Sequence, residues 1–166
     1  KYTPKQDTFS RESVSPIVQL CSEKLKMFLL DQDQNLKYLG LVGFSSMMHF
    51  SKDYVGKHRA VILRCLQDPD MTIRLRALDL LCGMITQHNI VEVVQKLLKH
   101  AELFEDHYRD AVVEKILSIC SMNKYHYVSD FAWYVTTLVS LVHNNAMSFG
   151  NIIGGQLIDI CARVKS

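Results

Sequence analysis

The sequence predicts an all-α chain built as stacked helix pairs, an α-α superhelix. Three observations carry this: a charged turn that repeats, apolar residues at helical spacing nearly throughout, and no convincing strand alternation. The repeat appears when DQDQNLKYLGL (Asp31–Leu41) is aligned with DPDMTIRLRAL (Asp68–Leu78). Asp31 falls on Asp68, Asp33 on Asp70, Leu36 on Ile73, Lys37 on Arg74 and Leu41 on Leu78, an offset of 37 residues. Leu29 falls on Leu66 at the same offset. A weaker third copy, YRDAVVEKI, puts Arg109 under Arg74 and Val113 under Leu78 at an offset of 35. A helix pair of about this length is the usual unit of helical solenoids.

The elements follow in order. Residues 1–14 are polar and read as a flexible lead-in, leaving 15–166 as one solenoid segment. Ser15-Pro16 offers an N-cap followed by proline at the first helical position, opening a helix to Leu30. A second helix is expected from Asn35 to Phe50 and a third from Val55 to Leu66. A fourth starts after Asp68-Pro69-Asp70 and ends near Gln87. A fifth follows Asn89 (IVEVVQKLLKHAEL), a sixth spans Tyr108 to Cys120, and a seventh follows Ser129-Asp130 to His143. An eighth, weakened by Gly154 and Gly155, covers Phe149 to Val164. About eight helices with short links make four antiparallel pairs. In the fourth, Ile73, Ala77, Leu80, Leu81 and Met84 form one apolar stripe. Leu75, Leu78, Cys82 and Ile85 form a second, roughly opposite, which suits a helix packed on two sides.

Composition narrows the function. Apolar residues make up 48% of the 166, enough for a continuous core. A formal net charge of +2 is too balanced for a dedicated nucleic-acid binder, which shows a basic face. No apolar run approaches the ~18 residues that span a membrane. The chain begins at Lys1 without a methionine and is expected to be a piece of a larger protein. Its five cysteines, Cys21, Cys65, Cys82, Cys120 and Cys161, form no CxxC pair and read as small buried thiols.

No constellation points to chemistry, so no catalytic, cofactor-binding or metal-binding residue is expected. The acids and cations Asp33, Lys37, Asp68, Asp70, Arg74 and Arg109 read as repeat joints. Asp68 or Asp70 caps a helix, and Arg74, poorly placed against the helix dipole, calls for an acid of an adjacent repeat. The seven histidines include no HxxxH and read as surface or connector residues. GNIIGGQ (Gly150–Gln156) lacks the GK[ST] of a phosphate loop, and close helix packing explains Gly154 and Gly155 better. Lys57, His58 and Arg59 read as a solvated helix start. In YHYVSDFAWY, the rings are expected mainly in the core. One or two of Tyr125, Tyr127, Trp133 and Tyr134 are left as a candidate protein interface.

NLKYLGL (Asn35–Leu41), VGKHRAVILRCLQDPDMTIRLRALDLL (Val55–Leu81) and NIVEVVQKLL (Asn89–Leu98) resemble the trunk of the large adaptins of adaptor protein complexes. YRDAVVEKILSIC (Tyr108–Cys120) and YHYVSDFAWYV (Tyr125–Val135) resemble above all the delta-type adaptins of third adaptor complexes. The resemblance covers Ile17 to Lys165. One departure is Ala132, where that pattern carries an acid. The resemblance implies a HEAT- or armadillo-like solenoid and a non-enzymatic scaffold in vesicle-mediated cargo sorting from Golgi or endosomes to lysosomes, vacuoles or related organelles. It implies beta-, mu- and sigma-type adaptor subunits and an Arf-type GTPase as partners. It also implies a cytoplasmic protein, peripheral on Golgi and endosomal membranes, that meets membrane only through the assembled complex and binds no nucleic acid. Two other classes compete. A generic HEAT scaffold for nuclear transport or nucleic-acid assembly requires a concentrated charged face. An enzyme requires a cleft with convergent titratable groups.

Overall fold

Helix-forming sequence broken by Asx turns and glycines sets the element boundaries. The computed structural model describes residues 11–103, 107–143 and 149–164, and every regular element within them is helical. Helix α1 spans Arg11–Leu30, α2 Gln34–Met47, α3 Lys52–Gly56, α4 Arg59–Arg64 and α5 Met71–Gly83. Helix α6 spans Ile90–Ala101, α7 His107–Tyr125, α8 Phe131–His143 and α9 Gly150–Val164. A 3-10 turn, Cys65–Gln67, continues α4. The helices fall into two units, Lys1–Leu81 and Cys82–Ser166.

In the first unit, α1 packs along α2, and the link between them is short enough to make the two antiparallel. Two glycines of YLGLVGF permit the approach. A Cβ at Gly40 would stand 2.9 Å from Leu29 Cδ2 and 3.1 Å from the Leu25 carbonyl oxygen. Gly43 faces the Leu25 side chain in the same way. Leu41, Phe44 and Val55 are fully buried between these helices and α3. Helix α1 begins at Arg11, four residues before the expected Ser15 cap, so Pro16 lies inside it. Residues 1–10 of the expected lead-in lie outside the described residues.

The expected third helix is two short ones, which gives nine helices among the described residues instead of about eight. Gly56 favours the break because it lowers helix propensity. Behind it His58 leaves helical geometry (φ −100°, ψ 8°) and turns inward. Its ring centroid lies 5.3 Å from that of Phe44, and Nε2 is 3.8 Å from Glu23 Oε1. Burial lowers its pKa below the usual histidine value, helped by Lys26 and Lys57 and opposed by Glu23. His58 and His100 are both buried, so neither is the surface histidine expected. His100 sits in the last turn of α6, with its ring edge-on to Tyr108 at 5.6 Å.

Along α5, Ile73, Arg74, Ala77, Leu78, Leu80 and Leu81 are buried, Leu75 and Cys82 are half-buried, and Arg76 and Asp79 are exposed. At about 100° per residue the buried positions form one arc of roughly 160°. The two expected stripes therefore merge, because the stem of Arg74 fills the gap between them.

In the second unit α6 packs on α7, and α9 on both α7 and α8. Helix α6 has a clean apolar face of Ile90, Val93, Val94, Leu97 and Ala101, with a Lys96–Glu92 pair at 2.7 Å on its outer side. The end of α7 departs from the helix. Met122 is extended, and Asn123, Lys124 and Tyr125 all take positive φ, at 49°, 59° and 63°. Each such non-glycine residue costs about 1 kcal/mol. Burial of the Tyr125 ring against Phe131 and Tyr134 offsets this, with centroids 5.9 and 6.0 Å apart. A polar string crosses the interior: Tyr134 Oη donates to Gln156 Oε1, and Gln156 Nε2 donates to the Leu117 carbonyl at 3.3 Å.

Several small residues face outward against expectation. A Cβ added at Gly154 or Gly155 meets no atom within 4 Å, so close packing does not explain these glycines. Of the cysteines, Cys65 and Cys120 are buried, Cys82 is half-buried, and Cys21 and Cys161 are exposed on the outer faces of α1 and α9. Burial raises the Cys65 thiol to about 11 and the Cys120 thiol to about 12, which leaves both inert near neutral pH.

Leu78 is fully buried, and its neighbour Asp79 is exposed. Leu78→Asp should cost about 4 kcal/mol or more, and Asp79→Ala within about 1 kcal/mol, in chemical denaturation. Equal midpoints would refute this assignment of faces. At the α7 corner Lys124→Gly should raise stability by about 1 kcal/mol, because glycine removes the positive-φ strain. A lower melting temperature would show that the strain is not there.

Candidate functional site

The repeated acid turn organises the first unit. At the first copy the Asp33 N–H donates to Asp31 Oδ1 at 2.9 Å, and the Asn35 N–H donates to Asp33 Oδ1 at 2.8 Å. At the second, the Asp70 N–H donates to Asp68 Oδ1 at 3.0 Å, and the Thr72 N–H donates to Asp70 Oδ1 at 2.7 Å. Two consecutive Asx turns thus precede both α2 and α5, and in each the second acid takes a donor at the helix start.

The second copy carries an additional bond. Lys37 Nζ, on α2, donates to Asp68 Oδ2 at 2.7 Å. Asp68 keeps only 5% of its side-chain surface exposed and Lys37 only 18%. Burial pushes the Asp68 pKa up. The Lys37 ammonium, the Asp70 N–H and the Gln34 amide outweigh it and hold the carboxyl below its ordinary value. Arg74 folds back on the turn that precedes its own helix. Its Nη1 donates to the carbonyls of Asp68 at 2.8 Å and Pro69 at 3.0 Å, within its own turn. Those carbonyl dipoles offset the unfavourable position of a cation at a helix start. A second bridge from α2 to α5 lies nearby, where Arg76 Nη2 and Nε donate to Tyr38 Oη at 3.1 and 3.3 Å. Tyr38 was not a candidate from sequence; its one-residue displacement from the aligned cations hides it.

The other candidates are placed differently. Arg109 is in the first turn of α7, half-buried, beside Glu102 and Asp110 at a small recess. The turn that would precede it includes residues 104–106, which lie outside the described residues. Of the four aromatic candidates, Tyr125 and Tyr134 are core residues. Only Tyr127 and Trp133 present part of their surface. Tyr125 is further fixed by the Asp159 carboxylate and by Arg163, whose guanidinium carbon is 5.7 Å from the ring centroid.

Among the described residues no three His, Cys, Asp or Glu side chains converge as a metal site, and no helix is long and apolar enough to cross a membrane.

Comparison with known proteins then places the chain. Residues 6–166 match the adaptin N-terminal region family. The chain belongs to that family. It is 43% identical over 150 residues to the AP-3 complex subunit delta of Dictyostelium discoideum, which covers 90% of the chain and 13% of that protein. It is 42% identical over 153 residues to the AP-3 complex subunit delta-1 of Bos taurus, covering 92% of the chain and 13% of the relative. The AP-1 complex subunit gamma of Dictyostelium discoideum matches at 28% over 141 residues, 85% of the chain and 15% of that protein. Adaptin membership accords with the all-α, HEAT-like solenoid class. The chain thus spans about one-eighth to one-seventh of the length of these relatives.

Removing Lys37 while keeping Asp68 leaves a buried carboxylate with no ammonium beside it. Lys37→Met should lose about 3 kcal/mol at neutral pH, and adding Asp68→Asn should recover much of it. The Asp68 pKa is depressed in the folded state. The wild-type contribution is therefore complete above the ordinary carboxylate value of about 3.9 and disappears as pH falls through the lower folded value. The deficit of Lys37→Met should shrink over the same range. Urea midpoints at neutral and acid pH check this, and identical midpoints for the single and double variants would disprove it.

Proposed function

We propose that the chain is a non-enzymatic scaffold segment of an adaptor-complex large subunit of the delta type. Its similarity along nearly its whole length to delta subunits of AP-3 complexes is the observation that carries this reading. The mechanism is geometric. Stacked helix pairs, tied by ion-paired and aromatic joints, hold partner subunits at fixed separations, and rigidity rather than chemistry is the useful property. The joint acids and cations Asp33, Lys37, Asp68, Asp70, Arg74 and Arg109 serve the frame in this reading. Tyr127 and Trp133 remain as surface for protein contacts.

The proposal extends to the whole protein. Beta-, mu- and sigma-type adaptor subunits are its partners, with an Arf-type GTPase as recruiter. It is cytoplasmic and peripheral on Golgi and endosomal membranes and vesicles, reaches membrane through the assembled complex, and works without cofactor or nucleic acid. Its task is sorting cargo toward lysosomes, vacuoles or related organelles.

Affinity capture of the full-length protein, with every co-purifying chain identified by mass spectrometry, tests this. Recovery of one beta-, one mu- and one sigma-type subunit in equal amounts is expected. Their absence, with the full-length protein itself folded, would reject the proposal.

A further inference from the structure

The break between α3 and α4 carries a titratable ring into the interior of the first unit. His58 is 6% exposed and stands at the start of α4. Its backbone stitches the two short helices together. The His58 N–H donates to the Val55 carbonyl at 3.0 Å, and its own carbonyl accepts from the Val61 and Ile62 N–H groups at 3.0 and 3.1 Å. The ring lies against the fully buried Phe44 of α2 and reaches α1 at Glu23. Glu23 and Lys26 act on it from α1 and Lys57 from the link, while α2 offers the apolar Phe44. This setting suits a neutral imidazole and penalises an imidazolium. Glu23 is a poor partner for an added proton. It is exposed, 3.8 Å from Nε2, and already paired with Lys26 at 3.4 Å. Two ammonium groups oppose that one carboxylate, and positive charge is disfavoured at the start of a helix.

We infer that His58 is a proton-operated latch: as a neutral ring it clamps the α3–α4 link onto α1 and α2, and a proton taken from solvent releases the link. Release exposes Val55, which is fully buried in the closed form, and frees the first turn of α4, whose N–H groups depend on the His58 carbonyl. The direction follows from which form binds the proton more readily. Above the ordinary histidine value of 6.5 the ring is neutral whether the link is closed or open, and the latch holds in full. In the closed form burial sets the pKa below that value. As pH falls from the ordinary value through the lowered one, the open form takes up the proton first, and the closed form loses ground. The Asp68 carboxyl is held below its own ordinary value, so the Lys37–Asp68 pair keeps its charge across this range and the turn before α5 stays tied. The opening is therefore local to α3 and α4. It is independent of which subunits the protein binds.

Amide hydrogen exchange of the full-length protein at about pH 7.5 and about pH 5, each corrected for the intrinsic pH dependence of exchange, tests the latch. The Val61 and Ile62 amides report the link, and α5 reports the fold of the unit. Wild type should lose protection at Val61 and Ile62 several-fold on acidification, with α5 unchanged. His58→Phe keeps a ring in the slot and cannot titrate, so its protection should be the same at both pH values. The neighbours add signed shifts. Glu23→Gln removes the charge that favours the imidazolium and should deepen the acid loss, whereas Lys26→Met should lessen it. Equal wild-type protection at both pH values overturns the latch. A loss that persists in His58→Phe assigns the proton elsewhere and overturns it too. A parallel loss in α5 reports unfolding of the whole unit and overturns the local opening. If His58→Phe fails to fold, α5 shows it, and the charge variants decide: shifts absent or of the opposite sign reject the proposal.

Discussion

Burying the Asp68 carboxylate at the turn before α5 obliges the first unit to bring positive charge to it, and several other contacts follow from how that is met. Lys37 reaches across from α2 and leaves little of either side chain in water. Beside that pair, Arg74 bonds the carbonyls of the same turn. Its stem then fills the arc between Ile73 and Leu78, which turns two apolar stripes into one broad buried face. The net energy of such a pair is small compared with an apolar replacement, but breaking one half is costly. Its value lies in position: the 2.7 Å pair ties α2 to the turn before α5.

The turn chemistry was legible from sequence because it is local. An acid just before a helical run is a ready cap, and in both copies the paired acids go further and form consecutive Asx turns. The helix pairs were legible for a similar reason, since apolar spacing and short links constrain each pair almost completely. The identity of Lys37 as the cation that crosses between pairs was not legible. Alignment made Lys37 and Arg74 equivalent, yet one bridges forward to the next turn and the other folds back on its own. Which of them does so depends on the separation of two helices, and that is a tertiary quantity.

Other features depend on what surrounds a residue rather than on its neighbours in sequence. Gly40 and Gly43 admit α1, while Gly154 and Gly155 admit nothing, although all four lie in helices and the first pair drew no notice. Periodicity cannot separate a glycine pressed by a neighbouring helix from one on an open face. His58 is similar. A histidine after Gly56, among cations, has the composition of a surface turn, but the break in the helix rotates it onto Phe44. The cysteines on α1 and α9 looked buried because apolar residues surround them in sequence. Those apolar residues are themselves exposed, as Ile17, Leu20 and Ile158 show.

The two units solve the same corner problem by different means. In the first, a polar turn is held by charge, and the backbone stays in ordinary geometry because aspartate side chains satisfy the helix start. In the second, the chain leaves α7 through three successive left-handed residues, and aromatic burial holds it there. Tyr125 inserts among Phe131, Tyr134 and Arg163, while the Gln87 amide secures the following carbonyl at 2.7 Å. A charged joint responds to pH and to loss of either partner. An aromatic joint responds first to packing volume, with Asp159 and Arg163 adding charge only at the edge of the Tyr125 ring. A scaffold made of both is not weakened everywhere by one kind of perturbation, and the strain at Asn123–Tyr125 persists because the buried ring leaves the backbone no alternative path.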